Sequence, residues 1–124
     1  MPKVVRVAVV DDHPLFRDGV VATVNAAPEF EVVAQGKCGS EAVRIAQQQC
    51  PDIMLLDMNM SDSGIEAARK IKTLRPSVKT VLLTSYDDSD LIAAAHAAGA
   101  RKFIVKGTGA TELVATLRAV HLVA

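Results

Sequence analysis

The stretch of sequence that decides the fold is DIMLLDMNM, residues 52–60. It contains four consecutive apolar residues, Ile53 to Leu56, which are too few for an ordinary helix and follow closely after Pro51. Such a short run predicts a strand that is buried on both faces of a parallel sheet. The run leads directly into Asp57. We therefore expect this carboxylate just outside the carboxyl end of a central strand, where open α/β sheets place their chemistry.

Three further apolar runs also end in polar side chains. Because the carboxyl ends of parallel strands meet at one edge of a sheet, these side chains are predicted to converge with Asp57. Together they bring three carboxylates, two hydroxyls and one ammonium to that edge. The runs and the residues that follow them are Val4–Val10 with Asp11 and Asp12, Val81–Leu83 with Thr84 and Ser85, and Phe103–Val105 with Lys106.

The size and charge of the chain limit the classes of function. Its 124 residues suffice for one domain with its own core, which we expect to occupy the whole of 1–124. Fourteen basic and fourteen acidic residues cancel, so the overall charge favours neither nucleic acid nor an anionic membrane as a partner. The absence of tryptophan argues against a stacking surface for single-stranded nucleic acid.

Cysteine spacing and hydropathy favour a cytoplasmic protein. Cys38 and Cys50 are too far apart for a CxxC pair and have no histidine at ligand spacing, so we interpret them as two free thiols. The apolar run before Asp11 is too short for a signal peptide. No segment approaches the roughly 20 apolar residues that a membrane helix requires. We expect no membrane association.

The rest of the sequence follows a pattern of five strand–helix units. Alternating units with short connections predict a parallel sheet that right-handed crossovers cover with helices on both faces. The second strand alternates polar and apolar residues, which is typical of an edge strand. Strands are predicted at about 4–10, 30–35, 53–56, 78–83 and 102–105, and helices from Pro14 to Pro28, at about 40–49, from Ser63 to Pro76, and at about 91–98 and 110–121.

Local signals predict where two of the helices begin. Pro14 suits a first helical position, with Asp12 or His13 as the capping residue before it. Ser63 and Glu66 have the spacing of a capping box. The helix that they open has a predicted inner face formed by Ile65, Ala68, Ile71 and Leu74.

The fourth helix has an unusual composition. Its sequence is rich in alanine and carries large apolar side chains only at Leu91 and Ile92. Because alanine packs shallowly, we expect this helix to be loosely held and able to shift. Gly99 is a natural left-handed stop. Three carboxylates are predicted near the favourable amino-terminal end of the helix dipole, namely Asp87, Asp88 and Asp90.

The adjacent pair Asp11 and Asp12 indicates a cation site. Neighbouring carboxylates at a strand end repel each other and lose hydration unless a cation joins them. Mg²⁺ accepts carboxylate oxygens at about 2.0–2.1 Å and completes its shell with waters and phosphate oxygens. For this pair alone, the alternative is that Asp12 caps the next helix and Asp11 is solvated. With Asp57 on a neighbouring strand, we favour a magnesium site.

The remaining polar residues at this edge suit phosphoryl chemistry. Beside a metal ion, Asp57 is a candidate nucleophile toward phosphorus, because carboxylates form acyl-phosphate intermediates. Lys106 offers a point charge to a phosphoryl oxygen, and Thr84 offers a hydroxyl. Ser85 could equally be a strand-end cap. We interpret His13 as a cap or surface residue, because it precedes a proline at a helix start.

Four motifs in order resemble the receiver domain of bacterial two-component response regulators. They are VAVVDDHPLFRDG, MLLDMNM, VLLTSYDD and GARKFIVKG, and together they cover essentially the whole chain. The form DDHPLFRDG is most similar to the LuxR/NarL-type transcriptional regulators. The resemblance implies a flavodoxin-like α/β fold, a five-stranded parallel sheet in the order 2-1-3-4-5 with helices on both faces.

The resemblance also implies roles for individual residues. Asp57 would be the phosphoacceptor, taking its phosphoryl group from a sensor histidine kinase or from a small donor such as acetyl phosphate. Mg²⁺ would be the cofactor, with Asp11 acting mainly through a bound water. Lys106 and Thr84 would contact the phosphoryl oxygens. The implied magnesium ligands are Asp11, Asp12, Asp57 and the backbone carbonyl of Asn59.

Phosphorylation is then expected to act as a conformational switch. By alternation Phe103 lies on the opposite sheet face from Lys106, and its spacing alone suggests core packing. The resemblance implies instead that Thr84 moves toward the phosphate and Phe103 turns inward after it. The expected partners are the kinase and a second copy of the chain, and DNA only through a C-terminal helix-turn-helix domain absent from these residues. We expect no independent enzymatic activity.

The sequence departs from the common receiver pattern in the loop after Asp57 and directly after Lys106. Ser61 replaces the usual proline after Met60, and Gly64 comes one residue early in the loop. Gly107 stands where many receivers have proline, so a cis X-Pro bond is not expected there. As a further hypothesis, Asn59 and Tyr86 tune the access of water to the site.

Three alternatives compete with this interpretation. A flavodoxin requires a phosphate cradle rich in glycine and hydroxyls in the first loop, where this chain has Asp-Asp-His-Pro. A phosphatase with an aspartyl nucleophile requires a second acidic residue on the same strand end and a lid, and no segment suggests one. A stand-alone or phosphorylation-independent receiver, acting by protein–protein interaction, is the remaining alternative.

Overall fold

The computed structural model describes residues 4–85 and 89–122. Their five strands and five helices alternate along the chain, as predicted. Most boundaries fall within two residues of the predicted ones. The elements are β1 (Val5–Val10), α1 (Pro14–Ala26), β2 (Phe30–Gly36), α2 (Gly39–Gln49), β3 (Ile53–Asp57), α3 (Gly64–Leu74), β4 (Lys79–Thr84), α4 (Ser89–Ala97), β5 (Lys102–Val105) and α5 (Ala110–Leu122).

The five strands form one parallel sheet in the order β2-β1-β3-β4-β5, which confirms the predicted topology. The more polar β2 lies at an edge, as predicted. The register pairs Val10 with Leu56, Asp57 with Leu83, and Thr84 with Val105. The carboxyl ends of the four strands that carry the predicted site therefore lie side by side.

Two apolar layers hold the helices against the sheet. On one face, β-strand side chains pack with α2, α3 and α4, and on the other they pack with α1 and α5. All five residues of β3 are buried, including Asp57. The strand that carries the predicted nucleophile is thus fixed on both faces. Within residues 4–85 and 89–122 no helix has the length and apolarity that crossing a membrane requires.

One predicted core position in α3 is wrong. Leu74 is the last residue of the helix and is 41% exposed, because the helix ends there beyond the part of its face that covers the sheet. Ala67 is buried in the inner face together with Ala68 and Ile71. The predicted cap is present, since the Ser63 hydroxyl oxygen accepts a hydrogen bond from the Glu66 amide at 3.2 Å.

His13 is the capping residue of α1, one of the two that the sequence predicts, but its side chain makes no capping hydrogen bond. Asp11, rather than Asp12, accepts a hydrogen bond from the amide of His13, at 2.8 Å. The carboxylate that we expected to act on a metal mainly through a bound water therefore also fixes the turn into the helix.

Helix α4 packs as shallowly as its composition predicts. Ala95 is its one buried side chain among those that the structure describes, and Leu91 is only partly buried against the core. Asp90 lies in the first turn, whereas Asp87 and Asp88 lie outside the described residues. Gly99 has the predicted left-handed backbone, with a φ of 97°.

Candidate functional site

The predicted site residues meet at the carboxyl edge of the sheet. Asp11 directly follows β1, Asp57 ends β3 and Thr84 ends β4, and all three are buried. Asp12 is about one-third exposed beside them. Lys106 directly follows β5 and its side chain is only 13% exposed. Four separate strands thus place these groups together, which is the convergence that the sequence predicts.

Lys106 joins the two buried carboxylates. Its ammonium nitrogen donates a hydrogen bond to Asp57 Oδ2 at 3.1 Å and lies 3.0 Å from Asp11 Oδ2. Its backbone amide donates to the carbonyl of Thr84 at 2.7 Å, which anchors the base of the side chain to β4. The ammonium is therefore held within contact distance of the predicted phosphoacceptor.

The aromatic ring of Phe16 contacts the same ammonium, and the sequence did not predict this contact. The Lys106 nitrogen lies 4.7 Å from the centre of the Phe16 ring, within the range of a cation–π interaction. Phe16 belongs to the first turn of α1 and packs on the layer formed with α5.

Phe103 lies on the other face of the sheet. It pairs in register with Leu82, which belongs to the layer on that face, and it is half-buried rather than part of either core. The face on which Phe103 lies agrees with the prediction, whereas its partial exposure does not agree with simple core packing.

Charge and burial shift the ionisation of the two central groups. Burial raises the pKa of Asp57 above its ordinary value, and the neighbouring Asp11 charge raises it further. The hydrogen bonds from the Asn59 amide, at 3.0 Å, and from Lys106 offset only part of this shift. For Lys106, burial lowers the pKa, but hydrogen bonds and attraction to the two carboxylates outweigh burial and raise it. Burial is thus the main cause of the raised pKa of Asp57, and the contacts with Lys106 do not cancel it.

The same residues fit a hard divalent cation. Asp11, Asp12, His13 and Asp57 each present a ligand atom, and these atoms lie within 4.8 Å of one another. Asp11 Oδ2 is fully buried and forms an ion pair with the Lys106 ammonium at 3.0 Å. Clustered carboxylate oxygens are ligands that Mg²⁺ prefers in proteins. The chemistry of the cluster therefore agrees with the predicted cofactor.

His13 lies closer to this cluster than our interpretation implies. Its ring nitrogen Nδ1 is 3.0 Å from Asp12 Oδ1 and 3.3 Å from Asp11 Oδ1. The side chain is nevertheless 65% exposed, which agrees with a surface residue. The imidazole thus lies at the rim of the acidic cluster.

The loop after Asp57 is held close to the strand end. Asn59 and Ser63 form an antiparallel bridge across it. Gly64 begins α3 so close to β3 that a Cβ atom there would lie 2.3 Å from the Asp57 carbonyl oxygen. The early glycine is therefore required by a close backbone approach. Gly107, the other departure, has a φ of 95°, which a proline cannot adopt.

Comparison with known proteins agrees with this geometry. The family model of the response regulator receiver domain matches residues 7–118. The transcriptional regulatory protein DegU of Brevibacillus brevis is 35% identical over 117 residues, which are 94% of this chain and 50% of DegU. The transcriptional regulatory protein LiaR of Bacillus subtilis is 36% identical over 116 residues, 93% of this chain and 55% of LiaR. The chain spans about half the length of these relatives.

Solved structures show the same fold. The receiver domain of the putative response regulator NarL from Mycobacterium tuberculosis has a TM-score of 0.90 and 32% identity, covering 96% of this chain and 98% of that one. A LuxR-family two-component response regulator from Aurantimonas sp. has a TM-score of 0.91 and 30% identity, covering 96% and 86%. The chain therefore belongs to the response regulator receiver domains, among relatives of the LuxR/NarL type.

Proposed function

We propose that this domain accepts a phosphoryl group on Asp57 from a phosphohistidine of a sensor histidine kinase. One observation carries the proposal. The buried Asp57 carboxylate shares a lysine with a second buried carboxylate, Asp11, at the sheet edge where all the predicted groups meet. This arrangement suits the transfer of a charged group to a carboxylate and recurs in no other described part of the chain.

The transfer is a substitution at phosphorus. An oxygen of the ionised Asp57 carboxylate forms the new O–P bond while the P–N bond to the donor imidazole breaks, and the imidazole keeps the electron pair and takes up a proton. Lys106 already contacts Asp57 Oδ2, so its ammonium can donate to a phosphoryl oxygen that arrives there. The Thr84 hydroxyl is the second proposed donor to the phosphoryl group.

A bound Mg²⁺ would neutralise negative charge on the phosphoryl oxygens. Its proposed ligands are Asp12, Asp57 and the backbone carbonyl of Asn59, with Asp11 acting through water. The raised pKa of Asp57 supports this part of the proposal, because an additional cation would keep the carboxylate ionised and nucleophilic.

The output is a change of conformation. Phosphorylation adds a largely dianionic group, and we propose that it biases an existing equilibrium in which Thr84 and Phe103 report to α4, β5 and α5. The half-buried Phe103 and the shallow packing of α4 support this role, since neither is locked into a core. The domain then acts as a switch and has no independent turnover of metabolites.

The relatives support a proposal about what the switch controls. DegU and LiaR are transcriptional regulatory proteins, and this chain matches about half of each. We propose that it regulates transcription in the cytoplasm through a DNA-binding domain outside this chain, and that phosphorylation promotes homodimerisation. Sedimentation of the fully phosphorylated protein as an unchanged monomer would exclude the dimer.

Intact mass spectrometry tests the central proposal. Incubation with acetyl phosphate and Mg²⁺ should add one phosphoryl group to the wild type, and none to Asp57→Asn or in the presence of EDTA. If acetyl phosphate fails, a phosphorylated sensor kinase is the second donor. Failure with both donors contradicts the proposal and favours a receiver that acts by protein contacts without phosphorylation.

A further inference from the structure

Helix α2 is capped by a residue from another part of the chain. Its own N-cap residue, Cys38, makes no side-chain capping hydrogen bond. Instead, Asp62 Oδ1 accepts a hydrogen bond from the amide of Gly39 at 2.6 Å, and Asp62 Oδ2 accepts one from the amide of Ser40 at 3.2 Å. Both carboxylate oxygens of one residue thus bind the first two amides of a helix that begins 23 residues earlier.

The Asp62 carboxylate packs closely against Gly39 at the start of α2. A Cβ atom at position 39 would lie 3.0–3.1 Å from the carboxylate atoms of Asp62, so glycine leaves the space that the carboxylate occupies. The negative charge also faces the positive end of the helix dipole, where it is favourable. The cap is therefore more than a chance contact between two surface groups.

Asp62 lies in the loop that carries part of the proposed phosphorylation site. Within this loop, Asn59 and Ser63 form the antiparallel bridge, and the Asn59 amide donates to Asp57 Oδ1. The two ends of the loop are fixed at β3, by Asp57 itself and by the close approach of Gly64. Asp62, which directly precedes Ser63 of this bridge, ties the loop to a second element, α2.

We infer that Asp62 is a positioning residue, which fixes this loop and thereby holds Asn59 in place for the metal site. The inference rests on the proposed function, because it assigns Asp62 to the same Mg²⁺-dependent site. Asp62 acts through Asn59, and its own carboxylate is occupied by α2. Releasing the tether should loosen the loop and weaken metal binding, even when the helix remains capped.

The experiment must separate this tether from ordinary helix capping. Asp62→Ala removes both the tether and the cap. The double variant Asp62→Ala with Cys38→Ser gives α2 a local serine cap, since residue 38 already has extended N-cap backbone angles. Asp62→Asn keeps one acceptor oxygen for the amide of Gly39. The readouts are the melting temperature, Mg²⁺ affinity by titration calorimetry, and amide hydrogen exchange of Asn59 in the metal-free protein.

We expect Asp62→Ala to lower the melting temperature and to weaken Mg²⁺ binding roughly tenfold, the lower end of the losses seen when a residue behind a metal ligand is removed. Cys38→Ser should restore the melting temperature but neither the Mg²⁺ affinity nor the slow exchange of Asn59. Asp62→Asn should have a melting temperature and a Mg²⁺ affinity close to those of the wild type.

Two results would overturn the inference. One is a double variant in which Cys38→Ser restores Mg²⁺ affinity together with stability, since Asp62 would then be only a cap. The other is an Asp62→Ala variant with wild-type Mg²⁺ affinity and wild-type exchange at Asn59. A wild type that binds no Mg²⁺ is a different failure, of the proposed function, and the exchange of Asn59 then decides whether the tether orders the loop.

Discussion

The centre of the sheet and its β5 edge differ in how deeply their side chains are buried. In β1 and β3, residues Val7–Val10 and Ile53–Leu56 are completely buried. By contrast, β5 has one buried residue, Ile104, and α4 has one, Ala95. Asp57 ends a central strand, and Lys106 follows the edge strand β5. The predicted acceptor therefore lies on a strand that is fully buried, whereas the lysine that contacts it follows a strand that is only partly buried.

The largest expected difference is between two leucines that contact the same apolar layer. Leu56→Ala removes a fully buried side chain from β3, whereas Leu91→Ala removes a partly buried one from α4. We expect losses of about 3 kcal/mol of unfolding free energy for the first and about 1 kcal/mol for the second. Urea denaturation of both variants measures the difference. Equal losses would mean that α4 is packed as firmly as the centre.

The close backbone approach between Gly64 and the end of β3 gives a second test. Gly64→Ala places a methyl group against the Asp57 carbonyl, so we expect a loss of about 2 kcal/mol and slower phosphorylation. Gly19→Ala is the matched control, because nothing lies within 4 Å of its added Cβ in α1. It should gain roughly 0.5–1 kcal/mol from helix propensity. A Gly64→Ala protein as stable as Gly19→Ala would show that the loop relaxes freely.

The raised pKa of Asp57, at the end of the central strand β3, gives a third test. Because its pKa is raised in the folded state, ionised Asp57 costs stability, and this cost develops as pH rises from about 4, the ordinary aspartate pKa, through the raised folded value. Without metal, Asp57→Asn should therefore melt at a higher temperature than the wild type at pH 7.5, with the gap closing toward pH 4. Thermal melts in EDTA across this range measure it. A wild type that is more stable than Asp57→Asn at pH 7.5 would contradict the raised pKa of Asp57.

The smallest effect is expected from an exposed ion pair between α5 and Glu29, the residue before the edge strand β2. Arg118 of α5 donates to Glu29 at 2.5 and 3.2 Å and lowers the pKa of Glu29. A lowered acid pKa means that the contribution is present above the ordinary glutamate pKa and is lost as pH falls through the folded value. Arg118→Ala should therefore lower the melting temperature slightly at pH 7, and not at all in strong acid. The loss at pH 7 should also shrink in high salt.

The sequence alone determined the order of elements, the parallel sheet and the identity of the residues at its carboxyl edge. These follow from local patterns, since short apolar runs bounded by glycine, proline or polar residues specify strands. The polar residue that follows each run then specifies which side chain lies at the edge. Asp11, Asp57 and Lys106 could be predicted together because strand ends in a parallel sheet must lie side by side.

Only the tertiary structure decided the contacts between distant segments. Asp62 capping α2, Phe16 beneath Lys106 and Gly64 against the Asp57 carbonyl have no local sequence signal. Each depends on how helices and loops stack on the finished sheet, and so on distances between residues far apart in the chain. The exposure of Leu74 has the same origin, because helical spacing gives a face but not where the neighbouring layer ends.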